Sequence, residues 1–284
     1  METVRVAQRK ETAAPFRDGA QSIARAIFVL RILASARGAG LGLLEVARQA
    51  GLTPPTARRI LSVLVREEIV EQRPQTRRYC IGQQISLLAL ARPTTTPFVA
   101  AAVPVLGTVV DELGDTGFLT LRTGLDTVCL ARRLGAYAIQ VLPIDVGDRR
   151  PLGVSSAGIA ALAGMPEAEA RRILQLNKAR LGTYNIAMAE AVTAVAAARA
   201  NGFAYRERGL VPGTRAVSVL IEFPAEGEQV LAALTIAAVA RRLTRDRVEQ
   251  VVSRLEAAAR DIAVRVRADD PQPKTARRKR TRSA

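Results

Sequence analysis

Two short apolar segments joined by a single glycine constrain the fold of this chain more than any other feature. The first runs from Leu43 to Ala50, Gly51 follows it, and Thr53 with Pro54 opens the second. Threonine is a good N-cap, and proline at the first helical position loses no N–H that the helix needs. The apolar residues of the second segment recur at helical spacing at Ile60, Leu61, Leu64 and Val65. The pattern predicts a helix-turn-helix, preceded by a helix that begins at Gln21.

A second helix of this kind presents its first turn and its exposed face to the major groove of duplex DNA. There a hydroxyl bonds a base edge or a phosphate, a proline ring touches a thymine methyl, and an arginine reads guanine. The residues expected to contact DNA from this helix are Thr53, Pro55, Thr56, Arg58 and Arg59. The alternative is a three-helix packing unit whose arginines are only solvated.

A basic loop between two short β-rich runs follows the second helix. Residues 69–72 and 79–81 predict the two strands of a wing. Arg73, Arg77 and Arg78 lie in this loop, and we expect them to face phosphates or the minor groove. Because a packing unit needs no such hairpin, the wing favours the DNA-binding interpretation.

Net charge supports the same interpretation. The 284 residues carry a formal net charge of +16, of which +7 falls on residues 1–91, +5 on 92–267 and +4 on 268–284. A strongly basic protein most often binds a polyanion, and ten aromatic residues supply few stacking platforms, so we expect double-stranded DNA as the partner. The excess of arginine over lysine fits phosphate and guanine recognition, although a GC-rich genome produces the same bias.

The absence of histidine excludes several kinds of catalytic and metal site. A Ser-His-Asp triad, a Cys-His dyad and a His-ligated metal all need an imidazole. Cys80 and Cys129 are too few for a zinc site and too few for a disulfide framework in a chain of this length. No apolar run reaches the ~18 residues of a membrane helix. We therefore expect no metal, no cofactor, no enzyme activity and no membrane partner, in a cytoplasmic protein.

Composition and periodicity divide the chain into five parts. A helical start with a wing, followed by mixed helices and strands, predicts two domains of the α+β class. The polar, aperiodic ends predict disorder, and the basic C-terminal end either adds non-specific DNA affinity or has no role. The expected boundaries are residues 1–20 for a disordered segment, 21–82 for the winged helix-turn-helix, 83–97 for a linker helix, 98–267 for the second domain and 268–284 for a disordered basic tail.

Strand-like and helical patterns alternate in the second domain. Residues 117–133 predict a hairpin with its turn at 123–126, and residues 137–144, 217–223 and 230–239 predict further strands. Helices are expected over 155–163, 166–176 and 186–200, and a final amphipathic helix begins at Thr244.

Six segments of the chain lie in a specific order and spacing. The first, residues 42–82, reads GLLEVARQAGLTPPTARRILSVLVREEIVEQRPQTRRYCIG. The others are residues 126–132, 146–158, 201–217, 231–236 and 242–244. In these segments the chain resembles the IclR family of bacterial transcriptional regulators, and the resemblance covers roughly residues 20–267.

The resemblance implies a GAF-like α/β second domain, with a curved antiparallel sheet, that binds a small effector. Family members that bind small carboxylates use backbone N–H groups at the start of one helix, where the helix dipole favours an anion. Ser156, Ala157 and Gly158 would be those donors here, with Ser155 as a side-chain partner. An ordinary helix N-cap is the alternative.

Other effector positions of the family differ in this chain. Ala216 stands where cysteine is frequent, and Thr235 and Ala237 stand where serine is frequent. A position that is often acidic falls on Arg206 or Glu207, and Glu207 is the candidate. The resemblance therefore implies a pocket less polar than a glyoxylate or pyruvate site, for an aromatic or aliphatic acid or its thioester.

The family also implies a function. We expect a sequence-specific regulator of a bacterial catabolic pathway, controlled by an organic acid, with repression favoured over activation. Paired half-sites need a dimer or a tetramer, and residues 83–91 with the first helix are the expected contacts. The alternatives are an architectural DNA-binding protein without ligand control and, least favoured, an enzyme in the second domain.

Overall fold

The computed structural model describes residues 20–36, 39–90, 95–225 and 228–268. These ranges contain nine helices and eight strands. The disorder expected for the two ends of the chain falls almost wholly on residues 1–19 and 269–284, which lie outside the described residues. No helix in the described ranges is long and apolar enough to span a membrane.

The N-terminal unit is a winged helix, as the sequence predicts. Its elements are α1 (Gln21–Ser35), α2 (Leu43–Ala50), α3 (Pro54–Arg66), β1 (Val70–Gln72) and β2 (Tyr79–Ile81). Gly51 ends α2 in the left-handed conformation at a φ of 64°, which glycine adopts without steric cost. Apolar side chains from every element form one core, including Val29, Leu33, Val46, Leu61 and Val70. This packing fixes α3 with its polar face outward.

Two helices follow the wing. They are α4 (Gln84–Leu90) and α5 (Thr95–Leu113). The expected linker helix is therefore shorter than predicted, and α5 begins before Phe98. Residues 91–94 lie outside the described part of the chain.

The second domain is built on a six-stranded antiparallel sheet in the order β5-β4-β3-β8-β7-β6. The strands are β3 (Thr116–Thr123), β4 (Asp126–Arg133), β5 (Arg149–Pro151), β6 (Ala204–Arg206), β7 (Thr214–Ala225) and β8 (Glu228–Val239). The three-residue strands β5 and β6 were not predicted, because runs this short carry no readable alternation. Together with the winged helix, the sheet confirms the α+β class.

Helices cover both faces of this sheet. On one face lie α5 and α9 (Arg245–Ala268), and on the other lie α6 (Ser156–Ala163), α7 (Glu167–Gly182) and α8 (Met188–Asn201). The alternation along β7 sends Val217 and Val219 to the α5 and α9 side, and Ser218 and Leu220 to the α6 side. The face of the sheet toward α6 is therefore more polar than the face toward α5 and α9.

The strand predicted for residues 137–144 is wrong. This segment has no regular secondary structure, because side chains rather than a neighbouring strand bond its backbone. The Gln140 amide donates to the carbonyls of Gly135 and Tyr137, and the Val141 N–H donates to Thr116 Oγ1 at 3.1 Å. The segment instead forms a wall over one end of the sheet.

Candidate functional site

Helix α3 presents a polar face that no described residue of its own domain covers. Pro55, Arg58 and Arg59 are exposed, and Thr56 is half-buried. Within the described residues, neither Arg58 nor Arg59 has an acidic partner. Both guanidinium groups are therefore available to an external ligand.

The N-cap of α3 differs in one detail from the expectation. Thr53 has the extended backbone of an N-cap, but its side chain makes no capping bond. Its Oγ1 instead lies 2.9 Å from Oγ1 of Thr56. In an ordinary N-cap the side-chain oxygen accepts a bond from the N–H of the second or third helical residue. Pro55 stands at the second position and has no N–H.

The wing places two of its three arginines in solvent. Arg73 and Arg77 are exposed. Arg78 differs, because its Nε donates to the carbonyls of Ala39 and Gly40, each at 3.1 Å, and its Nη2 lies 2.9 Å from Oε2 of Glu45. Arg78 therefore ties the wing to the start of α2, and its expected contact with DNA stays a prediction.

Glu45 completes this tie. Its Oε2 also accepts the Gly42 N–H at 2.7 Å, and this bond, followed by the attraction of Arg78, lowers the pKa of the Glu45 carboxyl. The carboxylate stays ionised, and the wing keeps its position relative to α2.

The N-terminus of α6 opens onto a cavity. Ser155 caps the helix, since its Oγ accepts the Gly158 N–H at 3.1 Å. Ser155, Ser156 and Ala157 line the cavity, whereas Gly158 does not. The expectation that Gly158 donates to the effector is therefore corrected, because its N–H is already bonded to Ser155. The remaining expected backbone donors are the N–H groups of Ser156 and Ala157.

The cavity has an empty volume of about 540 Å³, including its open mouth. Its walls come from the polar face of the sheet, the start of α6, and the irregular segment after β4. The apolar lining residues are Phe118, Val141, Pro143, Ile144, Leu210, Ala216 and Ala237. The polar ones are Thr120, Ser155, Ser156, Arg206, Thr214, Arg215 and Thr235. The cavity therefore has one polar end, at α6, and a largely apolar remainder.

A chain of buried hydroxyl groups leads to that polar end. Ser218 Oγ donates to Ser156 Oγ at 2.8 Å, and Thr235 Oγ1 lies 2.7 Å from Ser218 Oγ. Because Ser218 has a single proton and gives it to Ser156, Thr235 donates to Ser218. The hydroxyl proton of Ser156 is then left for a ligand acceptor. Ser218 was missed from the sequence, although it shares a face of β7 with Ala216.

Arg206, and not Glu207, lines the cavity. Arg206 pairs with Ala216 across β6 and β7, and residues opposite each other share a face. Glu207 is exposed, and its carboxylate lies 3.5 Å from Arg215. Glu207 is therefore corrected as an effector residue, whereas Ala216, Thr235 and Ala237 all line the cavity as expected.

The fold and the cavity together define a class of protein. A winged helix with an exposed arginine-bearing recognition helix binds duplex DNA, and a separate domain with a concave cavity is suited to bind a small molecule. The combination is that of a DNA-binding transcriptional regulator.

Comparison with known proteins gives the family. Residues 94–264 match the model of the bacterial transcriptional regulator IclR C-terminal domain, and residues 22–74 match the IclR helix-turn-helix domain. The chain belongs to the IclR family of transcriptional regulators. Members of this family are not enzymes, which removes the catalytic alternative.

Relatives match along most of their length. The transcriptional repressor IclR of Escherichia coli is 24% identical over 258 residues, covering 88% of this chain and 92% of that protein. The Pca regulon regulatory protein of Pseudomonas putida is 27% identical over 244 residues, covering 85% and 82%.

Solved structures agree in fold. An IclR homologue from Microbacterium hydrocarbonoxydans, complexed with 4-hydroxybenzoate, has a TM-score of 0.68 at 25% identity, covering 87% of this chain and 99% of that one. An IclR transcriptional regulator from Alicyclobacillus acidocaldarius has a TM-score of 0.68 at 26% identity, covering 86% and 98%.

Proposed function

We propose that an organic acid with an apolar body binds in the cavity and controls the affinity of the winged helix for its operator. The observation that carries this proposal is the division of the cavity into a polar end and an apolar wall. At the polar end the N–H groups of Ser156 and Ala157 and the Ser156 hydroxyl are suited to a carboxylate. Phe118, Val141 and Ile144 offer contact to an aromatic or aliphatic body.

One comparison supports an aromatic acid and another supports repression, although both concern other proteins. The homologue from Microbacterium hydrocarbonoxydans is complexed with 4-hydroxybenzoate, itself an aromatic acid. The relative from Escherichia coli is named a repressor, which favours repression here too. We infer control of a catabolic pathway whose acid substrate or intermediate is the effector.

The active form is proposed to be a dimer or a tetramer. Two half-sites in an operator require at least two winged helices at a fixed spacing. In support, Ile23 and Ile27 on α1 and Leu87 and Leu88 on α4 are exposed apolar side chains in the elements expected to make the contact. Sedimentation of the full chain at micromolar concentration tests this, and a monomer that binds its operator at full affinity would contradict it.

Thermal unfolding tests the effector class. A ligand that binds only the native state raises the melting temperature, and at equal concentration a tighter ligand raises it more. We expect benzoate, 4-hydroxybenzoate and phenylacetate to raise it more than glyoxylate or pyruvate at equal concentration. Stabilisation by glyoxylate or pyruvate that equals or exceeds that of the aromatic acids would refute the proposed class.

Filling the cavity should separate effector binding from DNA binding. Ala216→Leu places a larger side chain in the cavity, and a close-packed wall cannot yield that space, so we expect acid affinity to fall by at least about tenfold. Operator affinity without acid should be unchanged, because Ala216 lies in the second domain. Calorimetry and fluorescence anisotropy measure the two affinities. Ala257→Leu, at an exposed position of α9, is the matched control and should change neither.

Arg73 and Arg78 should respond differently to alanine. Loss of one phosphate contact at Arg73 should lower the slope of log affinity against log salt by about 0.9 and weaken specific and non-specific binding alike. Arg78→Ala should instead lower the stability of the winged helix, because it removes the tie to Ala39, Gly40 and Glu45. Anisotropy titrations at several salt concentrations and thermal unfolding separate the two effects. Equal salt slopes for Arg73→Ala and the wild type would show that Arg73 makes no phosphate contact.

A further inference from the structure

We propose that Arg206 makes the cavity select ionised acids over neutral molecules of the same shape, with Glu190 as its counter-ion when no acid is bound. This inference rests on the proposed function, because it assigns charge selection within the same cavity. It goes further by naming the residue that distinguishes an acid from its amide.

Arg206 brings a positive charge into the cavity wall. Its side chain lies on the α6 side of the sheet and is only 10% exposed. One terminal nitrogen donates to the carbonyl of Val154 at 2.5 Å, immediately before the Ser155 cap. The guanidinium therefore lies beside the N-terminus of α6, where the helix dipole is also positive.

The charge of Arg206 is balanced from outside the cavity. None of the described residues that line the cavity is acidic. The partner of Arg206 is Glu190 on α8, whose Oε1 lies 3.0 Å from the second terminal nitrogen. Glu190 is 55% exposed, and an ion pair with a solvated carboxylate is screened and weak.

A carboxylate inside the cavity interacts with the same guanidinium in a medium that screens less. An entering acid therefore competes with Glu190 for Arg206, while the bond to Val154 keeps the guanidinium in place. The matching amide has the same shape and a carbonyl acceptor, but it carries no charge. Arg206 donates a charge-assisted bond to either ligand, but only the acid also offers a charged acceptor, so the acid gains an ion-pair attraction that the amide lacks.

Two substitutions should have opposite effects on acid binding. Arg206→Met removes the cation, and we expect the preference for acid over amide, on the order of tenfold in the wild type, to fall severalfold, with the remainder due to the positive N-terminus of α6. Arg206→Lys keeps the charge and should retain part of the preference. Glu190→Gln removes the competing carboxylate and should raise acid affinity. If the Arg206–Glu190 pair were only a structural tie, both Arg206→Met and Glu190→Gln would weaken binding.

The preference for acid over amide is measured by calorimetry, with the full chain and three acid–amide pairs. The pairs are benzoate with benzamide, 4-hydroxybenzoate with 4-hydroxybenzamide, and phenylacetate with phenylacetamide. Arg199→Met is the matched control. Arg199 on α8 donates to the carbonyls of Leu162, Ala163 and Met165 at the far end of α6 and does not line the cavity. Its loss should leave the acid-to-amide ratio at the wild-type value, and circular dichroism verifies that each variant is folded.

The outcomes separate this inference from the proposed function. A fall in the ratio for Arg206→Met, with tighter acid binding by Glu190→Gln, supports the assignment. If acids bind the wild type but Arg206→Met keeps the wild-type ratio, or Glu190→Gln weakens acid binding, the role of Arg206 is wrong and the organic-acid effector stands. If no acid in the panel binds the wild type, both are contradicted.

Discussion

Asp115→Ala is expected to lower the free energy of unfolding of the second domain by about 3–5 kcal/mol, because it leaves two arginines without their buried partner. The Asp115 side chain is 1% exposed. It accepts from Arg242 at 2.7 and 3.2 Å and from Arg247 at 2.5 Å. The same two arginines donate to the carbonyl of Leu113. One carboxylate therefore holds the start of α9 against the junction of α5 and β3.

The arrangement around Arg242 strengthens this contact. The bond to Asp115 raises the pKa of the Arg242 guanidinium, which also lies 3.9 Å over the ring of Tyr137. Tyr137 in turn begins the irregular segment that leads to the cavity wall. Loss of Asp115 should therefore loosen both α9 and this segment.

Urea denaturation followed by circular dichroism measures the loss. Glu112→Ala is the matched control, since Glu112 pairs with Arg254 at the surface only two residues before Gly114. An exposed ion pair contributes little, so this variant should unfold close to the wild type. Equal destabilisation by the two substitutions would contradict a special role for the buried carboxylate.

Arg59→Ala is expected to reduce specific operator affinity by about 1–3 kcal/mol, roughly 5- to 150-fold, because a guanidinium that reads guanine is lost. Arg59 is exposed on the outer face of α3 and makes no ion pair in the described residues. The substitution therefore removes no contact that holds the domain together. Stability should stay near that of the wild type, which separates a binding defect from a folding defect.

The measurement uses an operator selected from random duplex DNA by the protein itself. Anisotropy at one fixed salt concentration compares this operator with an unrelated duplex. Arg172→Ala, an exposed arginine on α7, removes the same charge far from the winged helix in sequence and is the control. Arg59→Ala should weaken the operator complex more than the unrelated one. An equal loss on both duplexes would mean that Arg59 contacts phosphate only.

Local signals in the sequence were enough to predict the winged helix and the start of α6. The turn at Gly51, the proline start of α3 and the Ser155 cap each depend on residues within a few positions. These local structures were confirmed because neighbouring residues alone determine them. The effector role of the α6 N-terminus came from the family resemblance and stays a prediction.

Non-local contacts explain what the sequence did not predict. The apolar run at 137–144 resembles a strand, but the side chains of Gln140 and Thr116 satisfy its backbone instead. The choice between Arg206 and Glu207 depended on the register of β6 against β7, and a shift of one residue moves a side chain to the other face. The bonds of Arg78 to Ala39, Gly40 and Glu45 also join distant parts of the chain, so no local pattern predicts them.

The most direct test of ligand control measures operator affinity as an aromatic acid is added. Coupling between two sites is defined by the change that one ligand causes in the affinity for the other. We predict that an acid which stabilises the protein also changes operator affinity by at least about fivefold, and that Ala216→Leu abolishes the response while it retains operator binding. Operator affinity that stays constant at saturating concentrations of every acid that binds would contradict the account.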